Sequence, residues 1–236
     1  MLVAAAVCPC PPLLVPEVAA GAAPELDGAR AACEDALGVL AAARPDRLVV
    51  VGPAEEGREG SYAEGAPGSF RGFGVDLDVR LGAGGTGEER ELPRSLAVAA
   101  WLLERTRWAD APVEGLAVPE LLAPERCAEL GAGLAGRAER MALLIMGDAS
   151  ACRSVKAPGY LDERAAGFDA EVARALGAAD LPALNSLDPA LAQELKACGR
   201  APWQILAGAA EGACLSGSLL YDEAPYGVGY VVAAWS

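Results

Sequence analysis

Three apolar runs, residues 2–7, 47–51 and 141–146, each stop abruptly at a turn: Cys8-Pro9-Cys10, Gly52-Pro53 and Gly147-Asp148. Apart from Arg47 they are continuously apolar rather than alternating, which marks strands covered on both faces. Helical patterns separate them. Residues 24–43 place Leu26, Cys33, Leu37 and Leu40 on one side, with Pro45 just beyond the end. Further helices are predicted over residues 95–107, 124–137, 163–176, 189–197 and 203–210, the fourth of these opened by Asp188-Pro189 as a cap and first-turn pair. Val75, Leu77, Val79 and Leu81 alternate with Asp76, Asp78 and Arg80, the pattern of a strand wet on one face. Shorter strands are expected at residues 113–118, 219–222 and 229–234, and residues 54–68 read as a long exposed loop. Strands alternating with helices of this length imply an α/β fold with a central, mostly parallel or mixed sheet covered by helices on both faces. With no internal repeat and no compositional linker, residues 1–236 read as one domain.

Composition excludes several functions. The chain has no histidine and seven cysteines. Ser-His-Asp and Cys-His hydrolysis are therefore ruled out, as is iron held by two histidines and a carboxylate. A net charge of −14 opposes binding to nucleic acid and to anionic membrane surfaces. No apolar run approaches the roughly 18–20 residues that cross a bilayer. Residues 1–7 lack the basic flank of a signal peptide and read as a strand. A cytoplasmic protein with reduced thiols is expected, and the Ala, Gly, Pro and Arg bias suggests a bacterial source. Nothing in the sequence fixes the oligomeric state, and a homo-oligomer stays open.

In open sheets of this class ligands bind beyond the carboxyl ends of the strands. The candidate residues therefore lie in the loops at 8–12, 53–56 and 147–152. Cys8-Pro9-Cys10 offers two thiolates to a soft metal, zinc or copper(I), or else only closes a proline-stiffened turn. In Gly147-Asp148-Ala149-Ser150-Ala151-Cys152, Asp148 and Ser150 either meet a substrate or satisfy backbone donors in the turn. Glu55 is a second carboxylate placed for acid–base work. In Cys198-Gly199-Arg200, Gly199 suits a helix end and Arg200 could hold an anion through two parallel hydrogen bonds. Tyr226, in an aromatic and acidic turn, is placed to rim a pocket. Gly82, Gly84 and Gly87 have the spacing of a dinucleotide-binding turn, but Glu88, Glu89 and Glu91 would repel a pyrophosphate and Pro93 postpones the helix. A connecting loop is the better reading.

Taken in order, several fragments resemble the class III extradiol ring-cleavage dioxygenase superfamily, of the LigB type with its Memo-like relatives. They are residues 10–16, the strand end 49–53, Phe70-Arg71-Gly72-Phe73-Gly74, Gly147-Asp148-Ala149-Ser150, Phe168-Asp169, Cys198-Gly199-Arg200 and Tyr226-Gly227-Val228-Gly229-Tyr230. The resemblance implies a LigB-like fold, an iron(II) cofactor and ring cleavage of catechols. It also implies histidine at the positions held here by Cys10, Ala54 and Ala151, the last as acid–base, while a Memo-like cysteine ligand matches Cys198. Replacing an imidazole by a methyl group removes a ligand outright. Acid–base catalysis, typically worth about 10²–10⁴-fold, has no imidazole to supply it.

Three readings follow. The first is a LigB-like protein with a remodelled, iron-free pocket that binds a small molecule or a partner. The second is an enzyme using Asp148 or Glu55, with Arg200 on an anion. The third is a soft-metal centre built from Cys10 and Cys198, joined by Cys8 or Cys152.

Overall fold

A computed structural model of the chain describes residues 1–84 and 90–236. Its strands are β1 (Leu2–Cys8), β2 (Arg47–Ala54), β3 (Gly60–Tyr62), β4 (Pro67–Ser69), β5 (Asp78–Arg80), β6 (Val113–Pro119), β7 (Met141–Met146), β8 (Gly217–Glu223) and β9 (Tyr230–Trp235). Its α-helices are α1 (Pro16–Ala19), α2 (Asp27–Ala42), α3 (Arg94–Arg105), α4 (Pro124–Ala135), α5 (Ala165–Ala178), α6 (Leu181–Asn185), α7 (Pro189–Glu194) and α8 (Arg200–Ala210).

Seven strands form one mixed sheet in the order β3-β6-β2-β7-β1-β9-β8. The central four, β6, β2, β7 and β1, run parallel. The flanking β3, β9 and β8 are antiparallel to their neighbours. The predicted α/β architecture is the one observed. Because side chains alternate along a strand, each central strand feeds two cores. Ala4, Ala6, Cys8, Leu48, Val50, Leu144 and Met146 face α2 and α3. Ala5, Val7, Val49, Val51, Leu143 and Ile145 face the side covered by α5 and α8.

α4 packs on α8, and two glycines allow their backbones to meet. A Cβ on Gly131 would lie 2.1 Å from the carbonyl oxygen of Ile205, and one on Gly208 would lie 2.6 Å from that of Ala128. No side chain fits either position.

The structure departs from the sequence expectations at several points. The stretch expected as a loop at 54–68 contains β3 and β4. β3 is an edge strand anchored by Tyr62, whose ring is buried and whose hydroxyl donates to the Arg58 carbonyl at 2.6 Å. Its neighbours are polar and glycine-rich, which hid the strand. The alternating run after Val75 yields only the three-residue β5, paired with β4 in a separate two-stranded sheet. α6 was not expected; Asp180 caps it by accepting from the Ala183 N–H at 3.1 Å. α8 starts at Arg200, ahead of the expected residue 203, which draws Arg200 into a helix. Cys214 is exposed. Gly87, Glu88 and Glu89 of the glycine-spaced motif lie outside the described residues. Among the described residues, no helix is long and apolar enough to cross a membrane.

Candidate functional site

The parallel register of β1 and β7 builds the site. Val7 lies opposite Ile145 and Cys8 opposite Met146, so the two chains leave the sheet side by side. The Gly147 N–H donates to the Cys8 carbonyl at 3.0 Å. Two residues past each strand end, the Cys10 N–H donates to Asp148 Oδ1 at 2.8 Å. A third segment then closes in from the start of α8. The Gly199 N–H donates to the Asp148 carbonyl at 3.0 Å, and the Asp148 N–H donates to Cys198 Sγ at 3.3 Å. Glycine is required at both positions: a Cβ on Gly147 would lie 2.4 Å from the Gly199 Cα, and one on Gly199 would lie 2.2 Å from the buried Trp203 ring. As a result Cys10 Sγ, an Asp148 carboxylate oxygen and Cys198 Sγ all lie within 4.8 Å of one another.

Asp148 and Cys198 line a cavity of about 510 Å³. Pro12, Leu13, Pro158, Val228 and Tyr230 give it an apolar wall, while Arg94, Lys196 and Glu120 bring charge to it. Arg94 is the first residue of α3, directly after Pro93. A cation there opposes the helix dipole, so local helix energetics do not account for it. It lies near Cys10, Cys198, Glu55 and Asp148, whose negative forms its guanidinium would offset. Glu55 approaches it from outside, with Oε1 3.8 Å from Arg94 Nε.

Burial pushes the Asp148 carboxyl up to about 6, against the lowering effects of the Cys10 N–H and of Arg94. Contact with the Cys198 thiol raises Cys10, reinforced by burial and by the charge on Asp148. Burial raises the Tyr230 phenol, again helped by Asp148. A carboxyl raised from 3.8 to about 6 favours the fold while protonated. That contribution is complete below the unfolded value and disappears as pH climbs through the folded one. In metal-free protein, Asp148→Asn should therefore add about 1–2 kcal/mol of stability at pH 8 and nothing at pH 4, allowing for the partial exposure of Asp148. Asparagine keeps the acceptor for the Cys10 N–H. Urea unfolding at the two pH values checks this, and an equal effect at both would refute it.

The other residues singled out from sequence lie elsewhere or act differently. Arg200 is buried and belongs to the fold. Its guanidinium donates to the carbonyls of Leu122 (2.6 Å) and Glu120 and to Gln204 Oε1 (3.0 Å), tying the β6–α4 loop to α8. The cations at the cavity are instead Arg94 and Lys196. Ser150 is fully buried; its N–H and hydroxyl both donate to Asp169, each at 2.8 Å, and Arg153 pairs with the same carboxylate at 3.0 Å. Cys8 shares a core with Cys10 and Cys198 but packs against Cys33 of α2. Cys152 is buried and its thiol donates to the Leu195 carbonyl at 3.4 Å. Neither joins Cys10 and Cys198. Tyr226 does line the cavity, with its hydroxyl donating to Glu25 Oε2 at 2.8 Å. Sequence reasoning missed Arg94, Lys196, Glu120 and Tyr230. An arginine following proline at a helix start was a usable signal for the first; the others carried none.

No protein-family model matches the chain, and no curated protein does. Among solved structures, the chain is similar to the crystal structure of uncharacterized protein JW3007 from Escherichia coli K12. The two are 13% identical over 99% of each chain, with a TM-score of 0.59, a likeness that shows the fold alone.

Proposed function

We propose that this protein is a divergent LigB-like protein whose strand-end pocket binds a small anionic molecule above a thiolate–carboxylate centre for a soft divalent metal. One observation carries the reading: the donor atoms of Cys10, Asp148 and Cys198 gather within 4.8 Å, and Asp148 and Cys198 line the cavity. Around a tetrahedral zinc ion, sulfur and oxygen ligands stand roughly 3.5–3.8 Å apart, from Zn–S near 2.3 Å and Zn–O near 2.0–2.2 Å. A small inward adjustment of three side chains reaches that spacing. The carboxylate favours zinc over copper(I), which prefers sulfur alone. With three protein ligands a zinc ion keeps one position for a bound molecule and acts as a Lewis acid.

The resemblance to ring-cleaving enzymes implies iron(II), and the residues present do not fit it. Ala54 at the end of β2 and Ala151 in the cavity wall offer methyl groups where that resemblance expects imidazoles. Two thiols and one carboxylate form a donor set suited to a softer ion. Arg94 and Lys196 draw an anionic ligand into the cavity, and the prolines and Tyr230 cover its apolar part. Asp148 also supports a second reading, in which the metal-free pocket moves a proton, because its carboxyl titrates near neutrality, at about 6.

Cobalt(II) titration tests the first reading. Tetrahedral thiolate coordination gives intense visible bands at one equivalent, and zinc should displace them. Oxygen uptake on adding catechols and iron(II), or the absence of any stoichiometric cobalt or zinc binding, would overturn it. Arg94→Gln should weaken binding of small carboxylates about tenfold, the loss expected for one charge-assisted hydrogen bond. A thermal-shift titration of wild type and variant reads this directly.

A further inference from the structure

We infer that Cys10 and Cys198 are a reversible redox pair, and that a disulfide between them closes the metal centre. Of its two consequences, only the loss of metal rests on the function proposed above; formation of the disulfide does not.

The two sulfurs come from opposite ends of the chain and lie no more than 4.8 Å apart. A disulfide holds its sulfurs at about 2.05 Å, so closure asks each side chain for a fraction of a roughly 3 Å approach. The two differ in role. Cys10 is buried and held between Pro9 and Pro11, which fix its backbone. Cys198 lines the cavity, through which a small molecule reaches its sulfur, and that sulfur accepts the Asp148 N–H at 3.3 Å. Cys198 is thus the attacking group and Cys10 the resolving one. The remaining thiols are placed differently. Cys8 and Cys33 contact each other and are fully buried, Cys127 and Cys152 are buried and donate to the Leu122 and Leu195 carbonyls, and Cys214 is exposed.

The oxidant is a small-molecule disulfide such as oxidised glutathione. The Cys198 thiolate attacks one of its sulfurs, forming a protein–glutathione bond and releasing one glutathione thiolate, which takes up the proton Cys198 gave up. Cys10 then loses its proton and attacks Cys198 Sγ. The second glutathione leaves and takes that proton. Two protein thiols are oxidised and one disulfide is reduced to two thiols. Afterwards Asp148 is the only donor of the three still available to a metal.

The test uses metal-free protein incubated with excess oxidised glutathione, followed by peptide mapping without reductant. The expected product is a Cys10–Cys198 cross-linked peptide. It should be reversed by dithiothreitol and absent from Cys10→Ser and Cys198→Ser. Oxidised wild type should also bind zinc at least 100-fold more weakly than reduced wild type. A stable mixed disulfide on Cys198, a cross-link at another pair, or modification of Cys214 alone would overturn the inference. If the cross-link forms while reduced protein takes no zinc, the redox pair stands and the metal reading falls. If zinc binds and no cross-link forms, the metal reading stands and the redox pair falls.

Discussion

Cys198→Ser should lower zinc affinity by well over 100-fold, with the fold retained. Loss of an outer-shell partner alone typically costs about 10–100-fold, and here a ligand itself is exchanged for a neutral hydroxyl. The serine can still accept the Asp148 N–H, so the turn between residues 147 and 199 keeps its geometry. Cys10→Ser should behave alike, since its sulfur occupies the same cluster. Cys152→Ser is the control. That buried thiol donates to the Leu195 carbonyl, a contact a hydroxyl reproduces, and it lies outside the cluster. Calorimetric zinc titration of the three variants separates a centre built from two specific cysteines from general thiol affinity. Equal losses in all three, or in none, would defeat the proposal.

Gly131→Ala should destabilise the protein by about 3 kcal/mol, the upper part of the range for overpacking a close contact. The added methyl would fall 2.1 Å from the Ile205 carbonyl oxygen and 2.6 Å from the Ala209 nitrogen, backbone atoms of α8 that cannot rotate away. At this chain length the loss corresponds to a melting point lower by roughly 6–12 °C. Gly133→Ala, two residues along α4, meets nothing within 4 Å and gains helix propensity. It should be neutral or stabilising by up to about 1 kcal/mol. Thermal unfolding of the pair distinguishes a steric requirement from an effect of losing glycine as such. α8 also begins beside Cys198, so the Gly131 variant should loosen metal binding as well.

The central sheet was legible because β1, β2 and β7 carry apolar runs at 2–7, 48–51 and 141–146, each cut short at a turn, as strands covered on both faces are. The strand-end location of the site followed from the same logic, and Cys10, Asp148 and Cys198 were all candidates from sequence. Their meeting was not readable, because it depends on Gly199 pressing against Gly147 from a segment far away in the chain. Arg200 shows the opposite failure. Two residues from Cys198 in sequence, it resembled a ligand-binding arginine, yet the start of α8 turns it away from the cavity, and backbone carbonyls consume its donors. The short edge strand β3 escaped notice because a single buried tyrosine anchors it among polar neighbours.

β9 lies between β1 and β8 in the sheet, although it is the last of the strands in sequence. A nascent chain still lacking residues 230–235 would present β1 as a naked edge, open to pairing with another molecule. The same six residues bring Trp235, whose indole N–H donates to the Leu176 carbonyl at 2.7 Å, and Tyr230, which walls the cavity. Sealing of the sheet and completion of the pocket thus depend on the same six residues, and a chain without them would lack both together.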